Sequence, residues 1–522
     1  MCTAVIDTAS ADPLSPNFGG LRALPADYFG VNQNTVQNPA WRSNPGGTQL
    51  IEDLNFTSVR YPGGTVSSYF QWWTGTSPQG SPGRPEFKYE LEDLSFLYEQ
   101  TGTTPIFVLN MINGGGLDRQ IEQLTEAAAL GVPIRRVELG NEYYLDDDHW
   151  ASVYPDGQSY GTTAKDWAAE IRRQFPEAEI AAIGAVQIGS TDPDSRRGKW
   201  NREVWQTLQT SDIDAITLHY YTGSGLFGGR VNAPNKWGSP EEQASQYDKF
   251  LAPDGPDVFI RSAFQYLDSV ERNTEIPGGP DLWITEHSLF DRNGTVRHTW
   301  AHGMFTAALQ MQMLQDFRVT QTSYHNLYNQ AKMFGLSFDS ASDFDGLDPS
   351  LPITQDFNPL TYQPQQYDLT SSGHAMKMFG KALDGADRVQ KIWFSDPDNW
   401  VTVEGDRHPA IMAVRIFDDD TEERRVLILN LSGDDRPFDT SLWVDGNSLL
   451  EMLYADPRLH ITHPSLFTET LGEVLDTTLL PAYSITLITD PVGSGVVPEP
   501  TAATLLVTTL ALVGVRRRTR AT

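Results

Sequence analysis

Eight short β-branched or apolar runs, at residues 28–32, 56–60, 105–110, 134–140, 180–184, 213–218, 282–285 and 319–323, are separated by segments long enough to be helices. Helical patterns occupy 119–130, 163–175 and 299–315. The last of these places Trp300, Met304, Phe305, Ala308, Leu309, Met311 and Met313 broadly on one apolar face. A buried strand followed by a helix, repeated, builds a parallel sheet. Eight repeats close that sheet, so the sequence predicts an α/β fold, a (β/α)8 TIM barrel over residues 28–385.

The pattern changes near Lys391. Residues 400–403, 410–417, 425–431 and 484–489 read as short alternating strands. Asp418-Asp419-Asp420 and Ser432-Gly433-Asp434-Asp435 read as exposed hairpin turns between them rather than metal sites. A C-terminal all-β sandwich is predicted over 386–490, with a first strand contributed by the N-terminal segment 1–27. A chain of 522 residues accommodates a large barrel and one smaller module. Asp343-Phe344-Asp345-Gly346-Leu347-Asp348 lacks the twelfth-position glutamate of a calcium loop and is expected to be a surface loop. Asp146-Asp147-Asp148 is expected to be a solvated face.

The chain carries 38 basic against 68 acidic residues, a formal charge of −30. That balance excludes a nucleic-acid partner, because phosphate binding needs a basic footprint. Cys2 is the only cysteine, so no intrachain disulfide forms and no role is expected for it. Residues 1–17 are polar, with no apolar core of the kind a secretion signal needs. At the other end, after a linker at 491–495, Val497-Pro498-Glu499-Pro500 precedes an uncharged, mostly apolar run at 501–515. Arg516, Arg517, Arg518 and Arg520 follow. As a helix this run would be about 22 Å long, short of the roughly 30 Å hydrocarbon core unless flanking residues snorkel. The order of motif, apolar run and arginines resembles the PEP-CTERM sorting tail. The resemblance implies export, transient membrane anchoring through 491–522, and an exosortase-like sorting partner. A chain with such a tail is expected to carry a signal peptide as well, so the polar start predicts a truncated or mis-started reading frame.

Catalytic groups of a (β/α)8 barrel sit where strands end, on the C-terminal face. Four of the predicted runs end in residues suited to chemistry: Arg60-Tyr61-Pro62-Gly63-Gly64-Thr65, Asn141-Glu142, His219-Tyr220-Tyr221-Thr222 and Glu286-His287. Two carboxyl groups at the ends of buried strands are the minimum equipment for cleaving a glycosidic bond. One carboxylate must stay ionised, and Arg60 and the Tyr221 hydroxyl are its natural donors. The other must hold a proton near neutral pH, which calls for burial or a like charge opposite to raise its pKa. Asn141 suits donation to a sugar hydroxyl. His219 reads equally as a substrate contact or as a structural residue. Trp72 and Trp73 suit a sugar-stacking platform and core packing almost equally, and Tyr143 and Tyr144 are expected on the pocket rim. Gly63-Gly64 is too short for a phosphate loop and reads as a tight turn or a close approach of backbone to ligand.

Asn141-Glu142 after the fourth run and Glu286 after the seventh resemble clan A glycoside hydrolases. In that clan these positions are acid/base and nucleophile. Arg60 to Thr65 and Leu218-His219-Tyr220-Tyr221-Thr222 look most like family 51, the α-L-arabinofuranosidases, with the family 79 heparanases and glucuronidases close in pattern. The resemblance spans about residues 28–490, including Leu480-Pro481-Ala482-Tyr483-Ser484 as a last strand. It implies Glu142 as acid/base, Glu286 as nucleophile, and Arg60 and Tyr221 as contacts of the nucleophile. Glu286 is followed by His287-Ser288-Leu289-Phe290 instead of the Trp-containing segment common in family 51, which leaves the sugar open.

The expected function is therefore a retaining O-glycosidase acting on extracellular polysaccharide, arabinofuranosidase-like. An endo-acting or glucuronidase-like enzyme is the second reading, and a surface polysaccharide-binding protein that has lost turnover is the third. No His-x-His cluster marks a strand end, so neither metal nor cofactor is expected.

Overall fold

A computed structural model describes residues 14, 16–78, 81, 86–186, 191–209, 212–223, 226, 239–265, 280–290, 294–328, 335–338, 366–440, 448–459, 468–473 and 477–490. The chain enters through strand β1 (Pro16–Ala23) and then builds a closed barrel of eight strands. These are β2 (Phe29–Asn32), β3 (Ser58–Tyr61), β4 (Thr104–Val108), β5 (Arg136–Glu138), β6 (Glu179–Ile183), β7 (Ala215–Thr222), β8 (Asp281–Leu289) and β9 (Val319–His325). Every neighbouring pair is parallel, including β9 back onto β2. All eight predicted runs are strands. Their bounds shift at several ends: β7, β8 and β9 continue past their predicted ends, so His219, Tyr221, Glu286 and His325 lie inside strands rather than after them.

Side chains alternate across a strand, and the register shows which face the barrel axis. In β8, Thr217 pairs with Trp283 but His219 pairs with Glu286, so β8 takes three steps where β7 takes two. Against β9 the same slip falls between Ile284 and His287. This bulge re-aims the strand. Simple alternation from the inward Trp283 would point Thr285 at the axis; the extra residue points Glu286 there instead. The lower barrel is plugged by Trp283 packed with Ile106, Ala181 and Ala215. The Arg136 guanidinium lies 4.9 Å over the Trp283 ring and pairs with Asp27 at 2.8 Å.

The C-terminal domain comprises β10 (Arg388–Phe394), β11 (Trp400–Val403), β12 (Asp406–Pro409), β13 (Ile411–Phe417), β14 (Arg424–Asn430), β15 (Arg436–Asp439), β16 (Leu449–Tyr454), β17 (Thr468–Glu473), β18 (Thr477–Leu480) and β19 (Ser484–Asp490). Its main sheet is antiparallel, in the order β1-β10-β13-β14-β19-β16-β17, and β1 forms its edge by pairing with β10. One face, with Ile392, Ile411, Ile428 and Ile488, packs on Phe438 of β15 and Leu480 of β18. The two-stranded β15–β18 sheet thus forms a small second layer. The other face, with Val414, Ile416, Leu427 and Leu429, joins the barrel's own core.

That docking changes one sequence expectation. The helix Trp300–Gln315 was expected to bury a single face, yet every residue from Trp300 to Leu314 is buried. It lies between β9 on the barrel side and β10, β13 and β19 on the other. Polar bonds fix the contact: Trp300 Nε1 donates to the Tyr483 carbonyl at 2.6 Å, and Gln315 Nε2 to the Ala413 carbonyl at 2.9 Å. Among the described residues no helix is long and apolar enough to cross a membrane. Cys2, the loop 343–348, the linker 491–495 and the sorting-like tail lie outside the described residues.

Candidate active site

Strand ends bring the predicted residues to one place above the plugged barrel. Glu286 (β8) is nearly sealed, its side chain 5% exposed, and Glu142 is more open at 17%. A carboxylate oxygen of each and a ring nitrogen of His219 all lie within 4.8 Å of one another. Glu142 sits just beyond β5 with φ +52, a left-handed conformation that costs roughly 1–2 kcal/mol in a residue with a side chain.

Glu286 is held from four strands. Its Oε1 accepts from Arg60 (β3) at 2.5 Å and from Asn32 Nδ2 (β2) at 3.1 Å. Its Oε2 accepts from the Tyr221 hydroxyl (β7), and the Nδ1 atoms of His219 (β7) and His325 (β9) each stand 3.5 Å from it. Burial alone would raise its pKa, but His219, His325, Arg60 and the Tyr221 hydroxyl outweigh burial and hold it down to about 2. Arg60 also donates NH2 to Asn141 Oδ1 at 2.9 Å and Nε to Glu138 at 2.6 Å. Asn141 Nδ2, fully buried here, has no partner among the described residues.

Glu142 Oε1 lies 2.9 Å from His219 Nδ1 and accepts from the Tyr144 hydroxyl at 3.1 Å. The sequence called for a raised pKa here, and the structure reverses that expectation. Burial and the Glu286 charge do push it up, but His219 pushes harder the other way, and the Glu142 carboxyl is held below its ordinary value. His219 is the counterpart: burial pulls its pKa down, yet the carboxylates of Glu286 and Glu142 hold it above the ordinary histidine value. With His219 shifted up and Glu142 shifted down, the pair favours a proton on the His219 side, whose Nδ1 lies 2.9 Å from Glu142 Oε1.

The aromatic expectations divide. Trp72 is 7% exposed, belongs to the core, and spends its Nε1 on the Arg119 carbonyl at 2.9 Å, so it does not line a platform. Trp73 is 37% exposed, packed edge-on against Trp72 and under the Arg119 guanidinium at 5.1 Å. Tyr143 is not on a rim. The chain turns sharply at Gly140 and Glu142, both at positive φ, and drives the Tyr143 ring inward, stacked on Tyr154 and edge-on to Trp150. Tyr144 takes the place beside the carboxylate. Gly63 and Gly64 form a turn at positive φ, where a Cβ would meet Asn32 Oδ1 at 2.1 Å and Asn34 Oδ1 at 2.0 Å. Their absent side chains make room for protein amides.

No family model matches the chain. An exo-α-(1→6)-L-arabinofuranosidase of Bifidobacterium longum is 25% identical over 198 residues, 33% of this chain and 36% of that protein. The chain is similar to α-L-arabinofuranosidases. The match spans little more than a third of the relative's length. Among solved structures, a family 51 α-L-arabinofuranosidase from Bifidobacterium longum superposes with a TM-score of 0.62 at 16% identity, over 90% of this chain and 97% of that one. A Paenibacillus polymyxa xyloglucanase of family 44 does so with a TM-score of 0.53 at 14% identity, over 91% and 98%. The structural likenesses establish the shared architecture of a barrel with a β domain.

Three residues escaped the sequence reading: Asn32, Glu138 and His325. Glu138 had a visible signal, an acidic residue between Val137 and Leu139 inside a buried run. Asn32 was likewise visible as the polar end of the first run. His325 lies two residues past the predicted end of the eighth run, and only the barrel closure of β9 on β2 brings its Nδ1 within 2.6 Å of Asn32 Nδ2. Glu142, His219 and Glu286 are also close enough to hold a metal ion. The Arg60 cation and the donors of Asn32 and Tyr221 already surround Glu286, which opposes a second cation there.

Proposed function

We propose that the protein is a retaining O-glycoside hydrolase of arabinofuranosidase type, working by double displacement through a covalent glycosyl-enzyme. One observation carries this reading: the Glu142 and Glu286 oxygens lie within 4.8 Å across the mouth of a (β/α)8 barrel. Retaining enzymes hold their carboxyls about 5–5.5 Å apart, whereas inverting ones leave room for a water at about 6.5–9.5 Å. Glu286, ionised and oriented by Arg60, Asn32 and Tyr221, attacks the anomeric carbon. The bond from that carbon to the leaving oxygen breaks, and Glu142 protonates that oxygen. The proton comes from the pair it forms with His219, crossing 2.9 Å from Nδ1 to Oε1. Water then attacks the same carbon, gives its proton back to Glu142, and frees Glu286.

The Asn141 amide, aimed by Arg60 with Nδ2 unspent, suits a hydroxyl of the bound sugar. A glucuronidase-like reading needs a cation for the sugar's own carboxylate. Arg60 is already engaged by Glu138, Glu286 and Asn141, and Arg197, 5.2 Å over the Tyr144 ring, donates its Nε and NH2 to the Val186 carbonyl. A neutral sugar fits better. Trp73, exposed and braced by Trp72 and Arg119, suits stacking of a further sugar of a polymeric substrate.

The sorting-like tail supports export, with an exosortase-like partner and transient membrane anchoring. Loss of the mass of the tail from mature protein in the native host would test that. The reaction itself is tested by proton NMR of the first product formed from an aryl α-L-arabinofuranoside. Retention of anomeric configuration is expected, and inversion would overturn the mechanism.

A further inference from the structure

Glu138 takes no part in the steps above, yet it is bound to their centre. It lies in β5, its side chain wholly buried, four residues before Glu142. Its Oε2 accepts from Arg60 Nε at 2.6 Å, while the NH1 of the same guanidinium reaches Glu286 at 2.5 Å. Glu138 Oε1 has no hydrogen-bond partner among the described residues. One cation thus spans two carboxylates, all three inside the barrel. An arginine needed only to orient Glu286 would call for no second buried carboxylate, since taking another charge out of water is expensive.

We propose that Glu138 is a positioning residue whose charge divides the pull of Arg60, leaving Glu286 oriented but still nucleophilic. The inference rests on the reading of Glu286 as nucleophile. Paired with Arg60 alone, Glu286 would sit in an undivided ion pair, and an over-stabilised carboxylate is a poor attacking group. The same guanidinium presents NH2 to Asn141 Oδ1 while its Nε is held on Glu138. The groups facing Glu286 are Asn32 from β2, Arg60 from β3, Glu142 beyond β5, His219 and Tyr221 from β7, and His325 from β9. Glu138 faces Arg60 and, at longer range, Tyr160 from the helix Gly157–Gln174. Within this set Glu138 is the one anion beyond the two reacting carboxylates.

The test is the pH dependence of kcat/KM on an aryl glycoside for the wild type, Glu138→Gln and Glu138→Asp, each checked for folding by circular dichroism. Glu138→Gln keeps an oxygen for Arg60 Nε and removes only the charge. Its kcat/KM is expected to fall roughly tenfold or more, and both limbs of its profile to move about one pH unit towards acid, because unbalanced positive charge favours ionised carboxylates. Glu138→Asp draws the charge back from the guanidinium and is expected to fall between the two. A folded Glu138→Gln with the limbs of the wild type overturns the inference, whether its rate falls or not. Should Glu138→Gln fail to fold, Glu138→Asp decides: limbs displaced towards acid support the proposal, and limbs at the wild-type pH overturn it. A wild type inactive on every aryl glycoside would sink the functional reading itself and this inference with it. An active wild type with unmoved limbs in the variants would sink the inference alone.

Discussion

His219 Nδ1 stands 2.9 Å from Glu142 Oε1 and 3.5 Å from Glu286 Oε2, so a single imidazole lies between the two carboxylates. Two negative charges at this separation in a buried site repel strongly. A protonated ring between them relieves the repulsion and keeps a proton within reach of the residue that must deliver it.

This arrangement fixes the pH behaviour. Glu286 is held down to about 2 and stays ionised through the working range. Activity is expected to fall as pH rises and the proton shared by His219 and Glu142 is lost, above about 6.5, the ordinary histidine value. The acid limb should lie far below the usual carboxylate range. Stability follows the same groups. The depressed pKa of Glu286 stabilises the fold above about 4.3 and the effect is lost as pH falls towards 2; the raised pKa of His219 stabilises it below about 6.5 and is lost above. Thermal melts across pH are expected to peak between those bounds, and a peak in the alkaline range would contradict the assignment.

The two carboxylates should separate by leaving group. Glu286→Ala is expected to abolish turnover of every aryl glycoside. Glu142→Ala should lose roughly 10²- to 10⁴-fold on poor leaving groups and far less on activated phenols, which depart without a proton. Equal loss across a series of substituted phenols would remove Glu142 from the acid role.

Tyr221 touches the nucleophile through its hydroxyl alone. Tyr221→Phe leaves the ring against Phe290 and removes one bond to a charged acceptor, worth roughly 1.5–3 kcal/mol. A fall in kcat of about 10- to 100-fold with little change in melting temperature is expected. An unchanged kcat would show that the bond is not kept during attack.

Trp73→Ala separates polymer binding from chemistry. On a polysaccharide kcat/KM should fall by about fivefold, the stacking of one ring being worth on the order of 1 kcal/mol, while small aryl glycosides react as before. Equal loss on both would mean that Trp73 supports the fold instead.

The helix Trp300–Gln315 joins barrel and β domain, so its contacts should melt as one unit. Trp300→Ala removes a fully buried ring and the bond to the Tyr483 carbonyl, and is expected to destabilise by about 3–5 kcal/mol. A single cooperative transition at lower temperature is expected in calorimetry. Two separated transitions in the wild type would show that the domains are not coupled.

The recurrence of eight buried runs made the barrel legible without coordinates, because parallel neighbours require helical crossovers and such repeats close only in a few ways. Arg60, Asn141, Glu142 and Glu286 stood out for a related reason. Ionisable or amide side chains at the ends of apolar strands carry a desolvation cost that needs a function. Trp72 and Trp73 could not be told apart in this way, since neighbouring indoles look alike until packing sends one inward and leaves the other in solvent.

Local sequence thus determined that eight runs would be strands and that Arg60, Asn141, Glu142 and Glu286 would stand at the barrel mouth. Tertiary structure alone decided how those groups share charge. The bulge that turns Glu286 rather than Thr285 to the axis depends on register against two neighbours. The closure of β9 on β2 delivers His325, and the reach of Arg60 across to β5 recruits Glu138. The opposed pKa shifts of His219 and Glu142 are also a property of the assembled set. Electrostatic balance depends on distances of a few ångströms between strands far apart in the chain, and no local pattern encodes such distances.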